Sequence, residues 1–152
     1  MIDSQLAGFL EQGLGIHIGT RDARLQPHGA RAIAVEVEGD GVHVVVHLAE
    51  VAAARILPNL EENGQAALAF ARPVDERACQ IKGIFVSARP TRDDERPVLE
   101  GQWEGFLRQL EAIGIPRGGT ADWTMWPAVA IRLNVTAIFD QTPGPTAGAV
   151  IA

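Results

Sequence analysis

The sequence predicts a small antiparallel β-barrel, closed or nearly closed, with helices packed around it. Two observations carry this. Roughly six apolar or β-branched segments are mostly joined by tight turns, and the helical segments fall between groups of strands. Helices do not alternate regularly with strands, which excludes a doubly wound parallel sheet. At 152 residues, the span 1–152 reads as a single domain that can bury a core without metal or disulfide support.

Residues 1–14 are expected to hold an amphipathic helix. Leu6, Phe9 and Leu10 share a face, Asp3 or Ser4 can cap its start and Gly13 can end it. LGIHIGTRD reads as the first strand, followed by a turn around Leu25, Gln26 and Pro27. ARAIAVEVEGDGVHVVVHL then gives two β-branched runs joined by Glu38-Gly39-Asp40-Gly41, a hairpin signal.

AEVAAARILPNLEEN turns helical, and Pro58 is expected to kink it or restart it. GQAALAFARP and RACQIKGIFVSARP form a second hairpin through Val74-Asp75-Glu76. Residues 92–114 make the longest helix, with Leu99, Trp103, Phe106, Leu107, Leu110 and Ile113 on an apolar face and Gly114 as its stop. A loop rich in Gly, Pro and Trp leads to the last strand, AVAIRLNVTAIFD. The tail, residues 141–152, carries too much Pro and Gly for regular structure and is expected to be pinned to a surface or partner, or mobile.

Composition narrows the function classes. A net charge of −6 argues against non-specific nucleic-acid binding, which needs a clustered basic surface. The single cysteine excludes an intrachain disulfide and any CxxC site, and Cys79 reads as a core residue. No apolar run reaches the roughly 18 residues of a membrane span, and the acidic start lacks a basic signal-peptide region. A cytoplasmic protein without membrane or nucleic-acid partners is the expectation.

The stretch RACQIKGIFV holds the only lysine, Lys82. On a strand, Ala78, Gln80 and Lys82 share one side, opposite Arg77, Cys79 and Ile81. Gln80 and Lys82 therefore present a donor-and-cation pair, or a solvated strand face blunted by its lysine. His43 and His47 lie four residues apart on a strand, about 13 Å, too far for one face to ligate one ion directly. His17 and His28 lie on or beside other elements. The histidines are expected to face solvent or an interface, and no metal site is expected. Trp123 and Trp126 can stack on a planar ligand, but anchoring a core or interface is the reading placed first for both. Arg117 sits in a loop and receives no role.

The hairpin beginning ARAIAVE, the helix ending NLEENG before a strand, the strand R-A-C-Q-I-K-G and the tail FDQTPGPTAG occur here in order. In this the chain resembles the pyridoxamine 5′-phosphate oxidase-like split barrels, specifically an uncharacterised bacterial branch. The resemblance implies a six-stranded antiparallel split barrel, a homodimer, and flavin mononucleotide (FMN) bound at the dimer interface. Arg31 matches the arginine of the family pattern RxVLLK, while Glu36 stands at its lysine. Ala54-Arg55-Ile56 aligns with the phosphate-gripping Ser-Arg-Lys cluster, so only Arg55 matches. The family glutamine falls at Ala78, and Gln80 is two residues on, on the same face.

The cofactor-binding residues implied are therefore Arg31 and Arg55 for the phosphate, Gln80 and Lys82 for the ring, and Trp126 for stacking. The function implied is an FMN-binding flavoprotein, with oxidoreductase chemistry on a small substrate as its activity. Turnover of pyridoxamine phosphate itself is not expected, because the substrate-binding residues have no counterpart. No catalytic residue is nominated. The alternative is a non-catalytic dimeric module whose cleft holds another planar or anionic ligand such as haem, or stays empty.

Overall fold

The computed structural model describes residues 1–120 and 123–152. Helix α1 (Ser4–Leu10) is capped by Asp3, whose carboxylate accepts the Leu6 N–H at 2.8 Å. It is shorter than the 1–14 segment suggests, because the chain turns at Gly13, φ +84°, to enter β1. A Cβ on Gly13 would lie 2.3 Å from the Gln102 carbonyl oxygen, so this turn needs glycine on both counts.

Strands β1 (Gly15–Arg21) and β2 (Pro27–Ala32) form the first hairpin, and β3 (Ala34–Val37) and β4 (His43–Ala49) the second. Helix α2 (Glu50–Asn63) leads to β5 (Gln65–Ala71) and β6 (Ala78–Pro90). Helix α3 (Arg96–Ala112), preceded by a short 3-10 turn at Asp93–Glu95, leads to β7 (Ala128–Asp140). All strands pair antiparallel in one sheet of order β2-β1-β5-β6-β7-β4-β3.

The strand count is seven, not the six expected, and the reason is local. The predicted strand ARAIAVE bends at Ile33, whose N–H bonds the His47 carbonyl at 2.8 Å. Its first half pairs with β1 and its second with β4. The curled sheet thus ends, on both sides, on the halves of one bent strand. Inward-facing Ile16, Ile18, Val44, Val46, Leu68, Phe70, Ile81 and Leu133 fill the interior.

Pro58 does not break α2, which runs unbroken to a left-handed cap at Gly64. Ile56 and Leu60 on either side of it are buried in the core, and the packing of that face holds the helix together across the proline. On α3, Leu99, Phe106 and Leu110 are buried as the spacing predicts, while Ile113 is exposed just past the helix end. Buried Gln102 takes a place the pattern reserves for an apolar residue. Its amide donates to the Val35 carbonyl at 2.7 Å and accepts the Val35 N–H at 3.1 Å, standing in for a strand partner along the open edge of β3.

The tail folds back on β7. Phe139 bridges to Val150, and Ile151 donates to the Ile138 carbonyl at 2.9 Å. β4 pairs with β7 only as far as Asn134, so the tail covers the edge that β4 leaves open beyond it.

Candidate functional site

The strand register defines a face on the outside of β2, β1, β5 and β6. Alternation buries Ile16, Ile18 and Thr20 of β1, Ala66, Leu68 and Phe70 of β5, and Cys79 and Ile81 of β6. Their neighbours point outward. Pairing sets Arg31, His17, Ala69, Gln80 and Phe139 in one row across the strands. The next row runs Gly29, Gly19, Ala67, Lys82 and Ala137.

The face therefore has a floor of glycine and alanine with polar groups on either side. Arg31 and Gln80, three strands apart, are separated by about 14 Å at ~4.8 Å per strand. A shallow hollow of about 410 Å³ lies over Gly19, Ala67, Lys82, Gly83 and Thr136. The β6–β7 register slips between Lys82 and Gly83, where a Cβ would come within 3.0 Å of the Asn134 carbonyl oxygen. Glycine here lets β7 approach closely beside the lysine.

Lys82 Nζ lies 5.2 Å from the Phe139 ring, and among the described residues it has no carboxylate partner. Arg31 lies over the Trp123 ring at 4.4 Å and the Phe106 ring at 5.3 Å. Among the described residues it too makes no ion pair, and burial lowers its pKa. Beside it, burial and then the Arg31 charge hold His17 below its ordinary pKa of 6.5, which keeps an exposed imidazole neutral at neutral pH.

The register thus brings Arg31, Gln80 and Lys82 onto one face. Arg55 and Trp126 lie elsewhere in the single chain. Arg55 is exposed on α2, and Trp126 packs against the buried cluster of Ile33, Ala34, Ala49, Leu99 and Ala128, with Arg96 over its ring at 5.1 Å. Sequence reasoning passed over Phe139 and His17 as members of this row. β1 is far from β6 in sequence, and only its pairing with β5 sets His17 beside Ala69 and hence Gln80.

The histidines need one correction. His47 faces neither solvent nor an interface but is fully buried under the turn that precedes α3. Its Nε2 lies 2.9 Å from Glu36 Oε1 and its Nδ1 3.0 Å from Thr91 Oγ1. Packing of the 91–95 segment onto β4 closes the strand face that alternation would leave open. Glu95 comes within ligand distance of Glu36 and His47, but its carboxylate is taken up by Arg89 and the Arg92 N–H. His43 belongs to a separate cluster, bonded to Asp40 at 2.6 Å in the β3–β4 turn. Cys79 is buried, and desolvation pushes its thiol up to about 12, which suits a core residue and not a nucleophile. Arg117 is bound by Glu104 and Glu111 on α3 and fastens its loop there.

Comparison with protein-family models returned no match, and neither did comparison with curated proteins. Solved structures do match over nearly the whole chain. The Group A Streptococcus protein HupZ has a TM-score of 0.58 at 18% identity, covering 97% of this chain and 100% of that one. A Lactobacillus delbrueckii protein provisionally called a pyridoxamine 5′-phosphate oxidase gives 0.56 at 14% identity, covering 91% and 93%. An FMN-binding protein of Syntrophomonas wolfei gives 0.54 at 10% identity, covering 90% and 86%.

Proposed function

We propose that this chain, which has the split-barrel fold of the pyridoxamine 5′-phosphate oxidase-like proteins, is a flavin-binding protein that takes FMN on the outer face of β2, β1, β5 and β6. The observation that carries the reading is the row from Arg31 through His17 and Ala69 to Gln80, with Lys82 one row along. A flat ring needs a floor without bulky side chains, and Gly19, Ala67 and Ala69 provide one. The carbonyl and imide groups of a flavin ring match the donor and acceptor of Gln80. The Lys82 cation suits negative charge on the ring. At the far end of the row Arg31 has donors free, among the described residues, for a phosphate.

Gln80 and Lys82 support the reading at the ring end, and the phosphate end is thinner. Glu36 is committed to His47, so one cradle position is unavailable to an anion. Bound FMN would supply hydride chemistry on a small substrate, making the protein an oxidoreductase. Gln80 and Lys82 would orient and polarise the ring, and Arg31 would hold the tail. A homodimer packed on this face would exclude water and let the second copy contribute Arg55 and Trp126, which a single chain holds apart from the row. Ile84 and Val86 of β6, 44% and 45% exposed, support such burial.

The first experiment is the visible spectrum of the purified protein, followed by titration with FMN and with riboflavin, read by flavin fluorescence. Saturable FMN binding is expected. Arg31→Gln should weaken FMN by about tenfold and riboflavin little, since only FMN carries the phosphate. Arg55→Ala should act in the same direction in the dimer. No saturable FMN binding, or equal losses for both ligands, would sink the assignment.

A second reading, haem, rests on His17. This neutral, exposed imidazole stands in the middle of the same row and can ligate iron. A Soret band on haem addition that is lost in His17→Ala would favour it over flavin.

A further inference from the structure

A separate hollow, of about 220 Å³, opens where α1 meets the start of β6, the end of β7 and the tail. Register pairs Cys79 with Asp140 there, one residue along from the outward pair Gln80 and Phe139. Alternation therefore turns both to the inner side of the sheet, opposite the flavin face. Leu6 and Phe9 of α1, Cys79 of β6 and Ile151 of the tail give the hollow an apolar lining. Its two charged lining groups are Arg77 and Asp140.

These two charges do not join. Among the described residues Arg77 makes no ion pair, with Asp140 or any other carboxylate, and its guanidinium donates no hydrogen bond. It lies over the Phe9 ring at 4.2 Å, which holds it at the rim of the hollow. The Asp140 carboxylate accepts from Thr146 Oγ1 at 2.7 Å and from the Thr142 N–H at 2.9 Å. A carboxylate has about four acceptor sites, so capacity remains for a further donor. Those threonine bonds hold the Asp140 carboxyl below its ordinary pKa, and the nearby Arg77 charge adds to this. At neutral pH the hollow therefore carries one fixed anion and one cation with free donors.

A cation and an anion that cannot bridge each other, set beside an apolar lining, match a zwitterion. An α-carboxylate accepts two parallel hydrogen bonds from a guanidinium, and an α-ammonium donates to a carboxylate. The apolar lining takes the side chain. We propose that this hollow binds a free α-amino acid with a small branched apolar side chain, its carboxylate on Arg77 and its ammonium on Asp140. A longer peptide does not suit the site, because its amide bonds hold the two charged ends apart. A simple fatty acid would set a second anion beside Asp140 and give it no donor. The site goes beyond the flavin reading and shares no residue with it.

Calorimetric titration of the purified protein with L-leucine should show saturable binding, and the amide resonances of Cys79 and Thr142 should shift with the same midpoint. 4-Methylpentanoate lacks the ammonium and 3-methylbutylamine lacks the carboxylate. Each should bind about tenfold more weakly than leucine or worse. Arg77→Gln and Asp140→Asn should each weaken leucine by a similar factor. FMN titration of both variants should match the unsubstituted protein, which separates failure here from failure of the flavin reading. The two half-analogues are tested on the unsubstituted protein, so a variant that fails to fold leaves the test intact. The proposal is overturned if leucine gives no saturable binding, if leucine and both half-analogues bind alike, or if both variants, folded by circular dichroism, bind leucine unchanged.

Discussion

Glu36 and His47 form a pair across β3 and β4, with Glu36 Oε1 2.9 Å from His47 Nε2. Glu36 occupies the position where the resembled family carries a lysine that approaches the flavin. Here its carboxylate is turned to a fully buried imidazole and supports the fold.

That pair makes stability depend on pH. Desolvation, the largest influence, holds the His47 pKa below its ordinary value of 6.5, while the Glu36 hydrogen bond pulls it part of the way back. Below pH 6.5 the unfolded chain takes up a proton that the folded protein refuses. Stability is therefore full above that pH and falls as pH drops toward the folded-state value. Melting temperature measured from pH 7.5 downward should show this loss, and His47→Gln should flatten it. In Glu36→Gln the His47 proton resonances should titrate at lower pH than in the unsubstituted protein, since the opposing charge is gone.

Glu95 should govern a second, more acidic limb. Its carboxylate accepts two hydrogen bonds from Arg89 and one from the Arg92 N–H, which hold its pKa at about 2. The stability this confers is present above the usual carboxylate range near 4.5 and is lost as pH falls through the folded-state value. Glu95→Gln should cost about 1–3 kcal/mol at neutral pH, discounted because Arg89 remains partly solvated, and should remove this limb from an acid-denaturation curve.

Gln102 should be among the costliest polar positions to change. Gln102→Leu keeps the volume but strips partners from the N–H and carbonyl of buried Val35. Urea denaturation should show a loss of about 2–4 kcal/mol. A loss under 1 kcal/mol would mean that water reaches the β3 edge.

Two glycines should respond oppositely to alanine. Gly13→Ala combines a positive φ of +84° with a Cβ 2.3 Å from the Gln102 carbonyl oxygen. It should cost about 3 kcal/mol or more. Gly101→Ala, within α3 and with open space at its Cβ, should stabilise by about 0.5–1 kcal/mol. Thermal unfolding of both variants checks the pair.

Much of the architecture could be read from residues alone, because it rests on local periodicity and turn chemistry. Alternation in ACQIKGI sets Gln80 and Lys82 opposite Cys79 and Ile81 whatever the strand pairs with. Asp40 closes its turn by accepting the Val42 and His43 N–H groups, and Gly114 follows the end of its helix, both within a few residues of sequence. The remainder came from long-range packing. The bend at Ile33 exists because one strand must serve both β1 and β4. His47 is buried only because the segment at Thr91 and Glu95 closes over it, and α2 runs through Pro58 because Ile56 and Leu60 are held in the core. The row from Arg31 to Gln80 depends on β1 pairing with β5, and the hollow beside Arg77 and Asp140 on α1 and the tail meeting the β6–β7 pair. Local spacing determines which side of a strand a residue takes, whereas only the closed sheet and its covering helices decide which residues share that side.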